Sequence, residues 1–215
     1  LRNNGDKATR PALGAVLRHD DMFGSSPHTV IVMSDNRFPS TTPSDEVSDI
    51  DRTMLSGLLY RIYAAAHPGT ALVMYLGWSK SLILPSNSSE EPKQTLHGTW
   101  TKVLALRQAL KDFPTADTIL FVDGDTIMAP DTSIAEFIIQ VERVNADYGV
   151  ENAPVVLSHD NSYSRWQSKR CRALNVTWCI NTGAILLKDL QKWSSRAAAS
   201  RFLDAWWCLR WRYSN

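Results

Sequence analysis

Cysteine is scarce in this chain, with Cys171, Cys179 and Cys208 the only three in 215 residues. That is too few for a fold built on disulfides, and their spacing matches no zinc site. Long apolar runs are also missing: none approaches the roughly 18 to 20 residues of a membrane span. An excess of one charge sign is absent as well. A formal net charge of +1 offers a polyanion or an anionic membrane no broad attraction, which sets nucleic acid aside as a partner. What remains, 44% hydrophobic and 21% charged residues, is the make-up of an ordinary globular protein with one substantial core or at most two small ones.

The chain starts at Leu1, not Met, and reads as an excised or processed segment with any signal or anchor upstream. Two Asn-x-Ser/Thr triplets occur, at Asn87 and Asn175. Chance alone gives about one in such a length, so a secreted protein and an ordinary surface explain them equally well. Cys171 and Cys179 either close a short loop in an oxidising compartment or stay buried as free thiols.

Residues 1–28 are polar and aperiodic, and are expected to be a leader without a core of its own; 29–215 read as a single domain. "TVIVMS" from Thr29 is a short β-branched run of the kind a buried parallel strand shows. In "DIDRTMLSGLLYRIYAAAHPG", Met54, Leu55, Leu58, Leu59, Ile62 and Ala66 recur at a helical period, which predicts their face as the buried one, and His67-Pro68-Gly69 ends the helix. "TALVMYL" is the next strand and 79–93 a surface loop. Thr99 is a candidate N-cap for a second helix with Trp100, Val103, Leu104, Leu106 and Leu110 apolar, stopping before Pro114. "TILFV" follows, then a helix with a capping box at Ser133 and Glu136. "PVVLSH" and "INTGAILLK" are further strands, and "RFLDAWWCLRW" is a last helix whose Trp206, Trp207 and Trp211 suit packing. Alternating strands and helices argue for an α/β fold, a mostly parallel central sheet flanked by helices.

The stretch "TILFVDGDTIMAP" runs an apolar strand into two carboxylates, Asp123 and Asp125, separated by Gly124. Ligands of parallel α/β sheets sit beyond the carboxyl ends of strands, where this pair falls. If the backbone stays extended, the two side chains point the same way and share one cation, with hard oxygens selecting Mn²⁺ or Mg²⁺. Gly124 would let a phosphate come close. The plain alternative is a strand-end turn with two solvated aspartates.

Three stretches, "TWTKVLALRQALKDFPTADTILFVDGDTIMAP", "CINTGAILLK" and "KWSSRAAASRFLDAWW", resemble in order the segments of the glycosyltransferase family that contains fungal mannan galactosyltransferases and plant xyloglucan xylosyltransferases. Trp100 and Lys102, Asp123 and Asp125, Asn181 and Gly183, Trp193 and Ser194, and Phe202 to Trp206 hold the family's motif positions. The resemblance implies a GT-A-like fold, Mn²⁺ or Mg²⁺ on Asp123 and Asp125, a UDP- or GDP-sugar donor, a glycan acceptor, and transfer with retention. It also implies a Golgi-lumen, type II membrane protein, anchored upstream of this chain. The family's usual Asp-Gln motif and downstream His do not follow Trp206, so the usual C-terminal part is expected to be lacking, and "RAAAS" reads as an insertion before the last helix.

On that basis Ser34, Asp35, Lys102, Asp123, Gly124 and Asp125 are the expected donor contacts, and His159, Asp160, Asn181 and Gly183 the expected acceptor side. Lys102 and Asn181 carry the catalytic expectation. Each has a bland alternative: a solvated helix lysine, a turn-capping asparagine, a structural His-Asp pair. Two other functions compete, a haloacid-dehalogenase-like phosphatase, which also places D-x-D after a strand, and an inactive nucleotide-sugar-binding domain.

Overall fold

The structure, a computed structural model, describes residues 15–19, 26–35, 49–77, 100–126, 128, 131, 133–147, 149–150, 152–159 and 180–209. Its elements are β1 (Ala15–His19), β2 (Thr29–Asp35), α1 (Asp49–Ala66), β3 (Thr70–Leu76), α2 (Thr101–Asp112), β4 (Thr118–Val122), α3 (Ile134–Asp147), β5 (Val155–His159), β6 (Ile180–Leu187) and α4 (Trp193–Leu209). The strands form one six-stranded sheet in the order β1-β3-β2-β4-β6-β5. The centre is parallel, β2 pairing with β3 on one side and β4 on the other. The flanks are antiparallel: β1 against β3, β6 against β4, and β5 against β6. The α/β architecture with a parallel centre thus holds.

Alternation along the strands divides the core into two layers, because successive side chains point to opposite faces. Val30, Val32, Val73, Tyr75, Ile119, Phe121, Ile185 and Leu187 lie with α2 and α4. Ile31, Met33, Leu72, Met74, Leu76, Leu120, Val122 and Leu186 lie with α1 and α3. Central strands covered on both faces read as continuous apolar runs, which is why "TVIVMS", "TALVMYL" and "TILFV" could be recognised as strands.

Several expectations are corrected. Residues 15–19 are not leader but an edge strand, with Ala15 opposite Leu76 and His19 opposite Leu72. In α1 the predicted apolar face is the outer one: Leu55, Leu58, Leu59 and Ile62 are exposed, whereas Thr53, Ser56, Tyr60, Tyr63 and Ala64 are buried. Both sets recur at helical spacing; the sheet takes the face that carries Gly57, where the helix approaches so closely that a Cβ would meet the Met74 side chain. The last helix begins earlier than expected, since α4 runs unbroken from Trp193 through "RAAAS". At the start of α2, Trp100 holds the cap position with no side-chain cap bond, and Thr99 lies outside the described residues.

Other expectations hold. The capping box forms, with Glu136 N–H donating to Ser133 Oγ (3.0 Å) and Ser133 N–H to Glu136 Oε2 (3.3 Å). Phe202 and Trp206 pack on the α2 layer, and Trp206 meets Trp100 edge-on at 6.4 Å; Trp211 lies outside the described residues. The carboxyl end of α2 is closed by Arg196 of α4, which donates to the carbonyls of Leu110, Phe113 and Ala116. No helix among the described residues is long and apolar enough to cross a membrane.

Candidate functional site

The connections place the site. From β2 the chain crosses by α1 to β3 on one side, then returns by α2 on the opposite face to β4 on the other side. β2 and β4 are parallel neighbours, so their carboxyl ends lie side by side at the point where the strand order reverses, the position where open α/β sheets take ligands in a crevice. Ser34 and Asp35 end β2, and Asp123 to Asp125 follow β4.

The acidic stretch is a turn, not an extended strand end: Thr126 N–H donates to Asp123 C=O at 3.0 Å. The expectation that both carboxylates leave one side of an extended strand therefore does not hold, and the two aspartates have different surroundings. Asp125 is exposed. Asp123 receives the ammonium of Lys102 on both oxygens, at 3.1 and 3.2 Å. The same Nζ donates to the carbonyl and the hydroxyl of Thr182, at 3.0 and 3.1 Å. Its side chain is 7% exposed against 37% for Asp123, and it also lies 5.5 Å from the centre of the Phe121 ring. The bland reading of Lys102 as a solvated helix lysine does not fit this setting.

Strand β6 brings its motif alongside. Asp123 N–H donates to Gly183 C=O at 2.8 Å, and Val122 lies opposite Ala184. Asn181 is opposite Ser158 of β5, and Ile180 opposite His159. The antiparallel run of β6 thus carries the start of "INTG" and the end of "PVVLSH" to the edge where β4 delivers its aspartates. Asn181 and His159 are placed here by their backbone; Asp160 lies outside the described residues, as do Asn87, Asn175, Cys171 and Cys179.

Helix α1 closes the crevice from the other side. Thr53 Oγ1 donates to the buried Asp35 at 3.2 Å, and Ser56 Oγ donates to Gly124 C=O at 2.5 Å. A Cβ on Gly124 would run into Thr53, so the close approach that requires glycine is that of a helix side chain. Ser34 Oγ, beside Asp35, is buried with no hydrogen-bond partner among the described residues. Such a group is costly to leave unpaired, which suits a position that a ligand completes. Deeper in the same helix, burial pushes the Tyr60 phenol up to about 12, and Tyr63 accepts the Ile134 N–H at the start of α3. Sequence reasoning missed Thr53, Ser56 and Thr182, since a hydroxyl on a helix or strand carries no distinctive spacing. A glycine flanked by two aspartates was the one clue that something must pack against it.

The match to known families settles the grouping. Residues 70–215 match the model of the galactosyl transferase GMA12/MNN10 family. The chain belongs to that family. It is 33% identical over 112 residues to "Probable alpha-1,6-mannosyltransferase MNN10" of Saccharomyces cerevisiae (strain ATCC 204508 / S288c), an alignment covering 50% of the chain and 27% of that relative. The chain therefore aligns with only about a quarter of the relative's length. Among solved structures it is similar to a glycosyltransferase involved in the glycosylation of the major capsid of PBCV-1, with 18% identity, a TM-score of 0.48, and coverage of 86% of this chain and 66% of that one. Family membership displaces the phosphatase reading.

The donor set at the turn has the chemistry of a hard-cation site in part. Asp125 offers an open carboxylate, while Asp123 offers one already shared with an ammonium. Among the described residues no group of three or more His, Cys, Asp or Glu side chains comes together. A Mg²⁺- or Mn²⁺-type ion often needs no such group, because one or two carboxylates suffice when waters and substrate phosphates complete the shell.

Proposed function

We propose that the chain is the donor-binding part of a metal-dependent glycosyltransferase that moves a sugar from a UDP- or GDP-sugar to a glycan acceptor with retention of anomeric configuration. The observation that carries this reading is the convergence of the family's D-x-D turn and its "INTG" strand at one crevice, joined by the Asp123 N–H to Gly183 C=O bond. Asp125, with Asp123 behind it, would hold Mn²⁺ or Mg²⁺. A divalent ion bound there supplies Lewis-acid stabilisation of the departing diphosphate.

The chain's own residues supply the rest. Asp35 and Ser34, at the end of β2, lie where the base or ribose of the donor would rest. Asn181, on the neighbouring strand, would orient the sugar or the acceptor hydroxyl, with Gly183, His159 and Asp160 as the remaining acceptor contacts. In a front-face route the departing phosphate takes the acceptor proton, so no dedicated carboxylate base is required of this site. By the same family reading the protein works in the Golgi lumen as a type II membrane protein.

Incubation with a panel of UDP- and GDP-sugars, a glycan acceptor and Mn²⁺, with NMR of the product anomer, tests the proposal. Transfer with retention is expected, abolished by chelation. Asn181→Ala should lower kcat at least tenfold while leaving nucleotide affinity within about twofold. Inversion, or turnover that persists in chelator, would refute the mechanism, and nucleotide binding without transfer would mark a binding domain.

A further inference from the structure

Lys102 is the best-engaged charge at the site and faces protein, not solvent. Its three N–H groups meet four acceptors at 3.0 to 3.2 Å, two on Asp123 and two on Thr182, and its side chain is 7% exposed. An ammonium so occupied has no donor left for an incoming phosphate unless a protein bond is given up. It sits between α2, β4 and β6, and thus spans the two strands whose motifs meet at the crevice.

We propose that Lys102 is a positioning residue that holds Asp123 against Thr182 and cancels one of the two negative charges the D-x-D turn would otherwise present to a divalent cation. The inference rests on the metal-dependent reading above and gives Lys102 a role other than direct contact with the donor diphosphate. Two bare carboxylates would bind a divalent cation tightly even without nucleotide and would repel the diphosphate. With Asp123 paired, Asp125 is the open ligand, and firm metal binding awaits the phosphate oxygens. The lysine thereby makes the cation and the nucleotide depend on each other.

The test is titration of Mn²⁺ alone into the nucleotide-free 215-residue chain, read by water-proton relaxation. Lys102→Met keeps the buried methylene stem and removes the charge. Removing a cation from the edge of a wet site should tighten binding of free Mn²⁺ by about five- to tenfold. A purely structural lysine would weaken it. Should Lys102→Met fail to fold, the double variant Lys102→Met/Asp123→Asn, which removes both members of the pair, is expected to bind Mn²⁺ within about twofold of the unaltered chain, because the net charge of the turn is restored. Unchanged or weaker binding by Lys102→Met, or binding at least about tenfold weaker by the double variant, would overturn the proposal while leaving the metal-dependent function standing. Failure of the unaltered chain to bind Mn²⁺, with or without UDP or GDP, would overturn both.

Discussion

Lys102 and Asp123 form a lopsided pair, the cation buried and the anion more than a third exposed. Removing the anion is therefore the harsher change, because it strands a charge with no solvent to relieve it, whereas removing the cation leaves a carboxylate that water can reach. Asp123→Asn should cost about 2 kcal/mol and lower Tm by roughly 4–8 °C. Adding Lys102→Met to Asp123→Asn should recover most of that loss. Thermal unfolding of the two variants checks it, and a double variant less stable than Asp123→Asn alone would contradict the pairing. At this scale the structure brings Lys102, Asp123 and Gly124, singled out in the sequence, to one turn. Lys102 and Gly124 could be picked out by motif, but their partners, Thr182 and Thr53, lie 80 and 71 positions away in the chain, and no local pattern encodes such contacts.

Helix α1 shows how a pattern can be correct as a period and misleading as a face. Its leucines and Ile62 recur as a core stripe would, yet the buried stripe is Thr53, Ser56, Gly57, Tyr60, Tyr63 and Ala64. Three of these six contribute the site's backing or its close approach: Thr53 and Ser56 bind Asp35 and Gly124, and Gly57 lets the helix settle on Met74. Hydrophobicity alone ranks leucine above threonine and serine, so polar residues that are buried because they bond to the site are the ones it misplaces. The double variant Leu58→Gln/Ile62→Gln should change stability by no more than about 0.5 kcal/mol. Tyr60→Ala, in contrast, removes a large buried ring and should cost about 3–5 kcal/mol. Urea unfolding of both decides which face is core; a loss above 2 kcal/mol, on the order of a buried leucine's worth, in the glutamine variant would reverse the assignment.

At the scale of the whole molecule, the strand order makes one place favourable for a nucleotide, the crevice between the ends of β2 and β4. The parallel centre was legible because strands buried on both faces are uninterrupted apolar runs. The antiparallel flanks were not: nothing in "AVLRH" distinguishes an edge strand from a leader, and a strand's direction is set by the connection that delivers it. That reversal of β6 matters most for function, since it presents the beginning of "INTG", not its end, to the acidic turn. The proposed function requires this crevice to bind a nucleoside diphosphate through a divalent cation on the D-x-D turn. Isothermal titration of UDP and GDP into the chain with Mn²⁺ and with chelator, repeated on Asp125→Ala, tests it most directly. Binding of at least one nucleotide is expected only with Mn²⁺, with a loss of about a hundredfold or more in Asp125→Ala, the worth of roughly 3 kcal/mol. Equal affinity in chelator, or in Asp125→Ala with Mn²⁺ present, would contradict it.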